Sequence, residues 1–325
     1  MPVLHGDAYM KHIFIINPRA GKEKENISVR VRDYISAHPE LEALVFNTEY
    51  VGHETVLVGR LCHIFEDETI RLYICGGSGT LCRAISGIPN YAMVEVAFHP
   101  CGMTNDILKV FEGEAEPFTN IGNLVTGTPM YLDIIDFGFG KALNFCAVGY
   151  EGRVADDVNA LSRVSIGGAK IPYYLSIARN MISFVNAQYT VVADGQEITG
   201  RKTSICAFNG IVYGGSYSPV QNACPVNGKV KLVLSDSASS FSLLPNLKYY
   251  KRGELEKIGK SVRVMDASDI SIKMSEKRKM FFTADGETFD LEDRNNALTV
   301  RVLPTTLKFV VPSGVALKEQ CREGE

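Results

Sequence analysis

Ile70-Arg-Leu-Tyr-Ile-Cys-Gly-Gly-Ser-Gly-Thr-Leu-Cys-Arg-Ala-Ile-Ser86 is the stretch whose reading decides the fold. Its first six residues, β-branched and aromatic for the most part, predict a buried strand. Gly76–Gly79 is a glycine turn, and a helix opens over Thr80–Ser86. Glycine there lets the backbone take positive φ and approach a ligand closely. The following helix start offers free N–H groups to an anion.

The same unit recurs on either side. His12–Ile16 predicts a strand, followed by Asn17-Pro-Arg-Ala-Gly-Lys22 and a helix over Lys22–Ile35. Leu44–Phe46 is a short strand and Thr55–Phe65 a helix. Val94–Phe98 is a further strand, leading through Pro100-Cys-Gly-Met-Thr-Asn-Asp106 into a short helix over Asn105–Phe111. Strand and helix alternating at this spacing imply a parallel sheet covered on both faces, with ligands bound beyond the carboxyl ends of its strands. Any one of the three glycine loops reads equally well as an ordinary turn. All three together, with Lys22, Asn105 and Asp106, describe one crevice lined with phosphate-binding donors. GxxxxGK[ST] is absent, as is GxGxxG at the first turn, so the cradle is of a different kind.

From Tyr131 the texture changes to short β-rich segments punctuated by Asp194-Gly195, Asn209-Gly210, Asn227-Gly228 and Asp285-Gly286. Such turns join antiparallel strands, and the second half predicts a β-sandwich interrupted by one helix around Tyr173–Val185. The polar stretch Thr126–Pro129 marks a boundary. The expected organisation is a nucleotide-binding α/β domain over 11–130, a β-sandwich over 131–304, and a terminal segment, 305–325, that returns to the first domain.

Composition narrows the function. The chain has 325 residues, 46% hydrophobic and 22% charged, so a sizeable core can be buried. Its 34 basic and 37 acidic residues sum to −3, against the basic face that a nucleic-acid partner requires. No run approaches the ~18 apolar residues of a membrane span, and the first ten residues lack a signal peptide; the expected location is cytoplasmic. Eight scattered Cys without a CxxC pair read as core residues. His53 reads as a helix-start residue. Lys248-Tyr-Tyr-Lys-Arg252 and Lys277-Arg-Lys279 read as solvated faces. The two Tyr also make the first a candidate for transient peripheral contact with anionic headgroups at the inner membrane face.

Taken in series, the motifs resemble those of the bacterial diacylglycerol kinase and sphingosine kinase-like lipid kinases. They are Asn17–Lys22, Thr48 with Gly52-His53, Gly76–Thr80, Pro100–Asp106, Asp133–Asp136, Asn144-Phe145 with Gly149–Gly152, Asn209-Gly210 with Gly214-Gly215, and Asp285–Glu287. The resemblance covers about residues 11–312. It implies an NAD kinase-like nucleotide-binding domain, a sandwich that helps enclose a lipid substrate, and a cleft between them. It implies ATP contacts at Asn17, Pro18, Arg19, Ala20, Gly21, Thr48, Gly76, Gly77, Ser78, Gly79, Thr80, Gly102, Met103 and Asn105. Lys22 and Asp106 would join the polar network around Mg2+, and Glu287 would take the proton from the lipid hydroxyl. A metal loop would fall at Asn227 with Cys224 and Lys229, through backbone or amide oxygens. By itself Asp285-Gly286-Glu287 reads first as a plain hairpin with a solvated Glu, and only the series of motifs turns the reading towards a base.

Three positions depart from the family pattern: Ser78 stands at an acidic position, Met103 at a Thr and Asn227 at an Asp. Losing carboxylates weakens charge neutralisation around the phosphates. Three functions follow: an ATP-dependent kinase acting on a lipid hydroxyl such as that of diacylglycerol, weakened by these changes; a catalytically impaired nucleotide- or lipid-binding protein on the kinase scaffold; and, ranked below both, an NAD kinase.

Overall fold

In the computed structural model, residues 10–20, 26–102, 104–162, 186–236 and 240–321 are described. The first lobe is built from β1 (Lys11–Ile16), α1 (Asn26–Ala37), β2 (Ala43–Asn47), α2 (His53–Ile64), β3 (Ile70–Gly76), α3 (Ser78–Ser86) and β4 (Val94–Pro100). Its strands lie in the order β2-β1-β3-β4, all parallel. Every residue of β3 is buried, as a strand covered on both faces must be. The glycine turn sits at the carboxyl end of this central strand.

The short helix expected over Asn105–Phe111 is instead a 3-10 turn over Asp106–Val110. Asn105 enters it at φ 43°, a left-handed conformation that Asn tolerates.

After α4 (Ile121–Val125), β5 (Thr128–Asp136) carries the chain into the second lobe. The expected boundary at 130–131 falls inside this strand. The second lobe holds β6 (Lys141–Ala142), β7 (Phe145–Gly149), α5 (Tyr150–Ser162), β8 (Ala187–Ala193), β9 (Gln196–Phe208), β10 (Val230–Asp236), α6 (Ser240–Arg252), β11 (Val262–Ala267), β12 (Asp269–Met274), β13 (Phe282–Ala284), β14 (Glu287–Phe289) and β15 (Ala297–Val311). Among the strand pairs described within this lobe, all are antiparallel. Burial alternates along β8 and β12 with the period of two expected of half-buried strands. Asp194-Gly195 makes the two-residue β8–β9 hairpin, with φ 46° and 85°.

The one helix expected in this lobe, around Tyr173–Val185, lies outside the described residues. Two helices, α5 and α6, occur where the sequence reading placed none. α5 follows Gly149, whose φ of 94° turns the chain out of β7. A Cβ there would stand 2.4 Å from the Thr203 carbonyl oxygen, so only glycine fits this crossing.

β15 joins the lobes. Residues 297–301 pair with β12, whereas Lys308 and Phe309 pair in parallel with β4 of the first lobe. β5 lines the strand across both parts, with a register shift between Leu303 and Leu307. Beyond β15 the chain still follows the first lobe, bridging Leu317 to Phe111. Two apolar clusters underlie this frame. One fills the sandwich, and the other runs from the parallel sheet through Phe111, Phe118 and Phe309 to Phe145 and Phe208 of the second lobe.

Phe309 is fully buried, with ring centroids 5.8 Å from Phe111 and 6.1 Å from Phe118. Truncating a buried Phe costs about 3–5 kcal/mol. Phe309→Ala is expected to lower the urea midpoint of both lobes together. Unfolding of one lobe with the other unchanged would contradict a shared frame.

Candidate active site

Three loops meet at the carboxyl end of the parallel sheet. Asn17, just beyond β1, donates from Nδ2 to Thr80 Oγ1 at 2.8 Å, and its own Oδ1 accepts from the Arg19 amide at 2.9 Å. Pro18, Arg19 and Ala20 form the turn that follows, closed by Ala20 N–H to the Asn17 carbonyl. Thr48 leaves β2 buried, its amide bonded to the Ile16 carbonyl. Gly76 accepts from the Cys101 amide, and a Cβ on Gly102 would stand 2.9 Å from Gly77 Cα and from Asn105 Oδ1. Asn17, Thr80, Gly76, Gly77, Gly102 and Asn105 are thus in mutual contact. Gly21, Lys22 and Met103 lie outside the described residues.

The first turn of α3 leaves backbone N–H groups without an intrahelical partner, as every helix start does. The Ser78 hydroxyl and Asn105 Oδ1 are buried with no partner among the described residues. A polar atom left this way costs about 1–3 kcal/mol, which a bound ligand or water relieves. The amides and the hydroxyl around this glycine turn can donate to a polyphosphate, whereas Asn105 Oδ1, an acceptor, suits a ligand hydroxyl, an N–H or a water.

The second lobe closes the other side. At the β13–β14 hairpin Asp285 and Gly286 take φ 48° and 85°, the two-residue turn expected from the sequence. Gly286 faces solvent, but Asp285 does not. Asp285 points inward and accepts from the amides of Leu143, Asn144 and Phe145 at 2.7–3.3 Å. Burial, opposed by those three amides, pushes its pKa up to about 6. With Asp285 anchored, Glu287 reaches the glycine turn. A Cβ at Gly79 would stand 2.0 Å from Glu287 Oε1, so the carboxylate enters only because residue 79 has no side chain. Arg83 holds the other oxygen, with Nη1 2.5 Å from Glu287 Oε2.

Asp106 is buried and ties the lobes together a second time. It accepts from the Gly215 amide at 3.1 and 3.2 Å and pairs with Lys109 at 3.2 Å, while Lys109 donates to the Gly215 carbonyl at 2.6 Å. Burial raises its pKa, against the pull of Lys109 and the amide. The remaining motifs support the hairpin. Asn209 donates to the carbonyls of Asp133 and Leu143 at 2.9 and 2.8 Å, and Asn144 donates to the Val212 carbonyl at 2.9 Å. The fully buried Asp133 accepts from the Gly228 and Thr305 amides at 2.6 and 2.8 Å.

The expected metal loop does not converge. Asn227 is exposed and its Oδ1 accepts from the Lys229 amide at 3.0 Å; the Lys229 side chain is exposed too. Cys224 is buried in the core, its thiol donating to the Cys321 carbonyl at 3.0 Å. Gly228 docks through its amide on Asp133, so backbone geometry, rather than a ligand oxygen, is what the structure draws from this turn. Among the described residues no group of three or more His, Cys, Asp or Glu side chains could hold a metal. Arg83, Lys109 and the inward role of Asp285 escaped the sequence reading, because each depends on a partner distant in the chain. The one local sign was Arg83, placed one helical turn beyond Gly79.

The fold and loops define a two-lobed protein in which a glycine-turn cradle of backbone amides faces an acidic hairpin. Residues 11–137 match the diacylglycerol kinase catalytic domain, and residues 144–311 match the YegS C-terminal NAD kinase beta sandwich-like domain. The chain belongs to this diacylglycerol kinase-like family of lipid kinases. A Staphylococcus haemolyticus protein named "putative lipid kinase" is 25% identical over 240 residues, 74% of this chain and 75% of that protein. A Staphylococcus carnosus protein of the same name is 24% identical over 161 residues, 49% of this chain and 52% of its own length. A solved Bacillus anthracis structure, described as a "putative diacylglycerol kinase", has the same fold with a TM-score of 0.72. It is 21% identical, over 97% of this chain and all of that one.

The raised pKa of Asp285 sets a pH dependence. The folded chain holds this proton more tightly than the unfolded one, whose carboxyl titrates near 3.8. The associated stability is fully present below that value and is lost as pH rises to about 6. Wild type should therefore lose stability relative to Asp285→Asn between pH 4 and pH 7, read from urea midpoints. A constant gap would show that Asp285 does not titrate in this window.

Proposed function

We propose that this protein is an ATP-dependent kinase that transfers the γ-phosphoryl group to the hydroxyl of a lipid such as diacylglycerol. The observation that carries the reading is the seating of Glu287 against Gly79, which puts a carboxylate beside the first turn of α3 where a triphosphate tail would end. Phosphoryl transfer asks chiefly for positioning and charge neutralisation. The amides of Gly77–Thr80, with Asn17 and Asn105, would orient the phosphates. Glu287 would accept the proton of the incoming hydroxyl, a general-base step worth ~10²–10⁴-fold in rate. Mg2+ is commonly held by one or two carboxylates together with substrate phosphates. Asp106 and the partnerless Ser78 hydroxyl are the groups here that would hold it, directly or through water. When bound it would neutralise phosphate charge.

Within the sandwich core, Cys146, Ile205, Leu232, Ile272, Phe282 and Val300 leave only a void of about 10 Å³, a packing gap the size of one water. What favours a lipid over NAD is the company the chain keeps, relatives named as lipid kinases and a neighbour described as a diacylglycerol kinase. Among the described residues no helix is long and apolar enough to cross a membrane, so the lipid would be reached from the membrane surface. Lys248, Lys251 and Arg252 at the end of α6, with Lys248 4.8 Å over the Tyr249 ring, form the basic face we assign to that contact.

The test is transfer of labelled phosphate from ATP to diacylglycerol, monoacylglycerol and sphingoid acceptors in detergent micelles with Mg2+ or Mn2+. Wild type should label at least one lipid. Glu287→Gln should reduce turnover by ~10²-fold or more, with the nucleotide-induced rise in melting temperature unchanged. Full activity in that variant would remove the proposed base. Nucleotide stabilisation of wild type without any lipid labelling would favour a binding protein on the same scaffold.

A further inference from the structure

Arg83, on the second turn of α3, reaches two carboxylates at once. Its Nη1 lies 2.5 Å from Glu287 Oε2, while Nε and Nη2 lie 3.1 and 3.3 Å from the two oxygens of Glu54 in the first turn of α2. Exposure falls along the chain of charges: the side chains of Glu287, Arg83 and Glu54 are 29, 17 and 1% exposed. The innermost carboxylate anchors the guanidinium, and the guanidinium reaches out to the hairpin. Burial works against the charge on Arg83, yet Glu287 and Glu54 outweigh it and leave the pKa raised.

We infer that Arg83 is the positioning residue for Glu287: braced by Glu54, it clamps Oε2 and leaves Oε1 over Gly79, facing the phosphate cradle. The inference rests on the kinase reading above and concerns how that site is held ready. β14 has only three residues, and Thr283 Oγ1 bonds the Glu287 backbone carbonyl at 2.8 Å. That bond ties the backbone at one point only, and the Glu287 side chain keeps three rotatable bonds. A planar guanidinium forked between two carboxylates removes that freedom, which a lysine, as a point charge, does only in part. Arg83 also neutralises a carboxylate that would otherwise repel a triphosphate, a charge balance that matters more where Ser78 replaces an acidic residue that could bind a cation.

Arg83→Met alone would leave Glu54 buried and unpaired, at a cost to folding. The comparison is therefore made in the Glu54→Gln background, among that variant, its Arg83→Met derivative and its Arg83→Lys derivative. Two quantities are read: kcat and KM for ATP with dioleoylglycerol micelles as acceptor, and hydrogen exchange of the 285–288 amides. Relative to Glu54→Gln, the Met derivative should lose roughly 10–100-fold in kcat, the scale of a 1 Å misplacement. Its KM for ATP should stay within about twofold, since ground-state binding is not what Arg83 supplies. The hairpin amides should exchange faster, and Lys should restore part of kcat. An unchanged kcat, or a higher one, would overturn the inference, the latter marking Arg83 as a restraint. If wild type labels no lipid at all, the kinase reading fails separately, and exchange then decides: unaltered hairpin protection would overturn the role given to Arg83.

Discussion

The account depends on the close approach of one hairpin to one glycine. Glu287 Oε1 occupies space that any side chain at position 79 would fill, so the glycine turn does two things. It leaves the amides of a helix start open, and it admits a carboxylate from the opposite lobe. That carboxylate is in turn placed by Asp285, whose side chain is buried under three backbone amides. A solvated hairpin would leave Glu287 to wander. Here the tip is tied down two residues before Glu287.

The lobes are correspondingly hard to separate. β15 hydrogen-bonds in the sandwich at one end and alongside β4 at the other, and β5 pairs with it at 301–303 and again at 307–311. Asp106 reaches across to the Gly215 amide, and Phe309 stacks among first-lobe aromatics. Phosphoryl transfer needs its donor and acceptor groups held to a fraction of an ångström. A frame shared by both lobes supplies that rigidity without any dedicated interface. The same frame explains the asparagines and glycines of the second-lobe motifs: Asn209, Asn144 and Gly228 carry hydrogen bonds from Asp133 towards the hairpin, and none is required to touch substrate.

Much of the fold was legible because its signals are local. Ile70–Cys75 followed by three glycines within four residues announces strand, turn and helix from neighbours alone. Asp194-Gly195 and Asp285-Gly286 specify hairpins for the same reason. α5 was missed because its apolar positions, Val154 and Val158 among them, follow a long β-rich run, and the exit from β7 depends on how closely Gly149 meets Thr203. The nucleotide side of the site was readable from loop chemistry. The catalytic side was readable only as a resemblance, because Arg83, Glu54, Asp285 and Glu287 converge through tertiary contacts. At Asn227-Gly228 the sequence showed the turn but not its tertiary anchor, the Gly228 amide on the buried Asp133.

The most direct measurement is a crystal structure with a non-hydrolysable ATP analogue and Mg2+. The account predicts the terminal phosphates on the amides of Gly77–Thr80, between Asn17 and Asn105, with the γ-phosphate facing Glu287. Nucleotide seated elsewhere, or phosphates turned away from the β13–β14 hairpin, would contradict it.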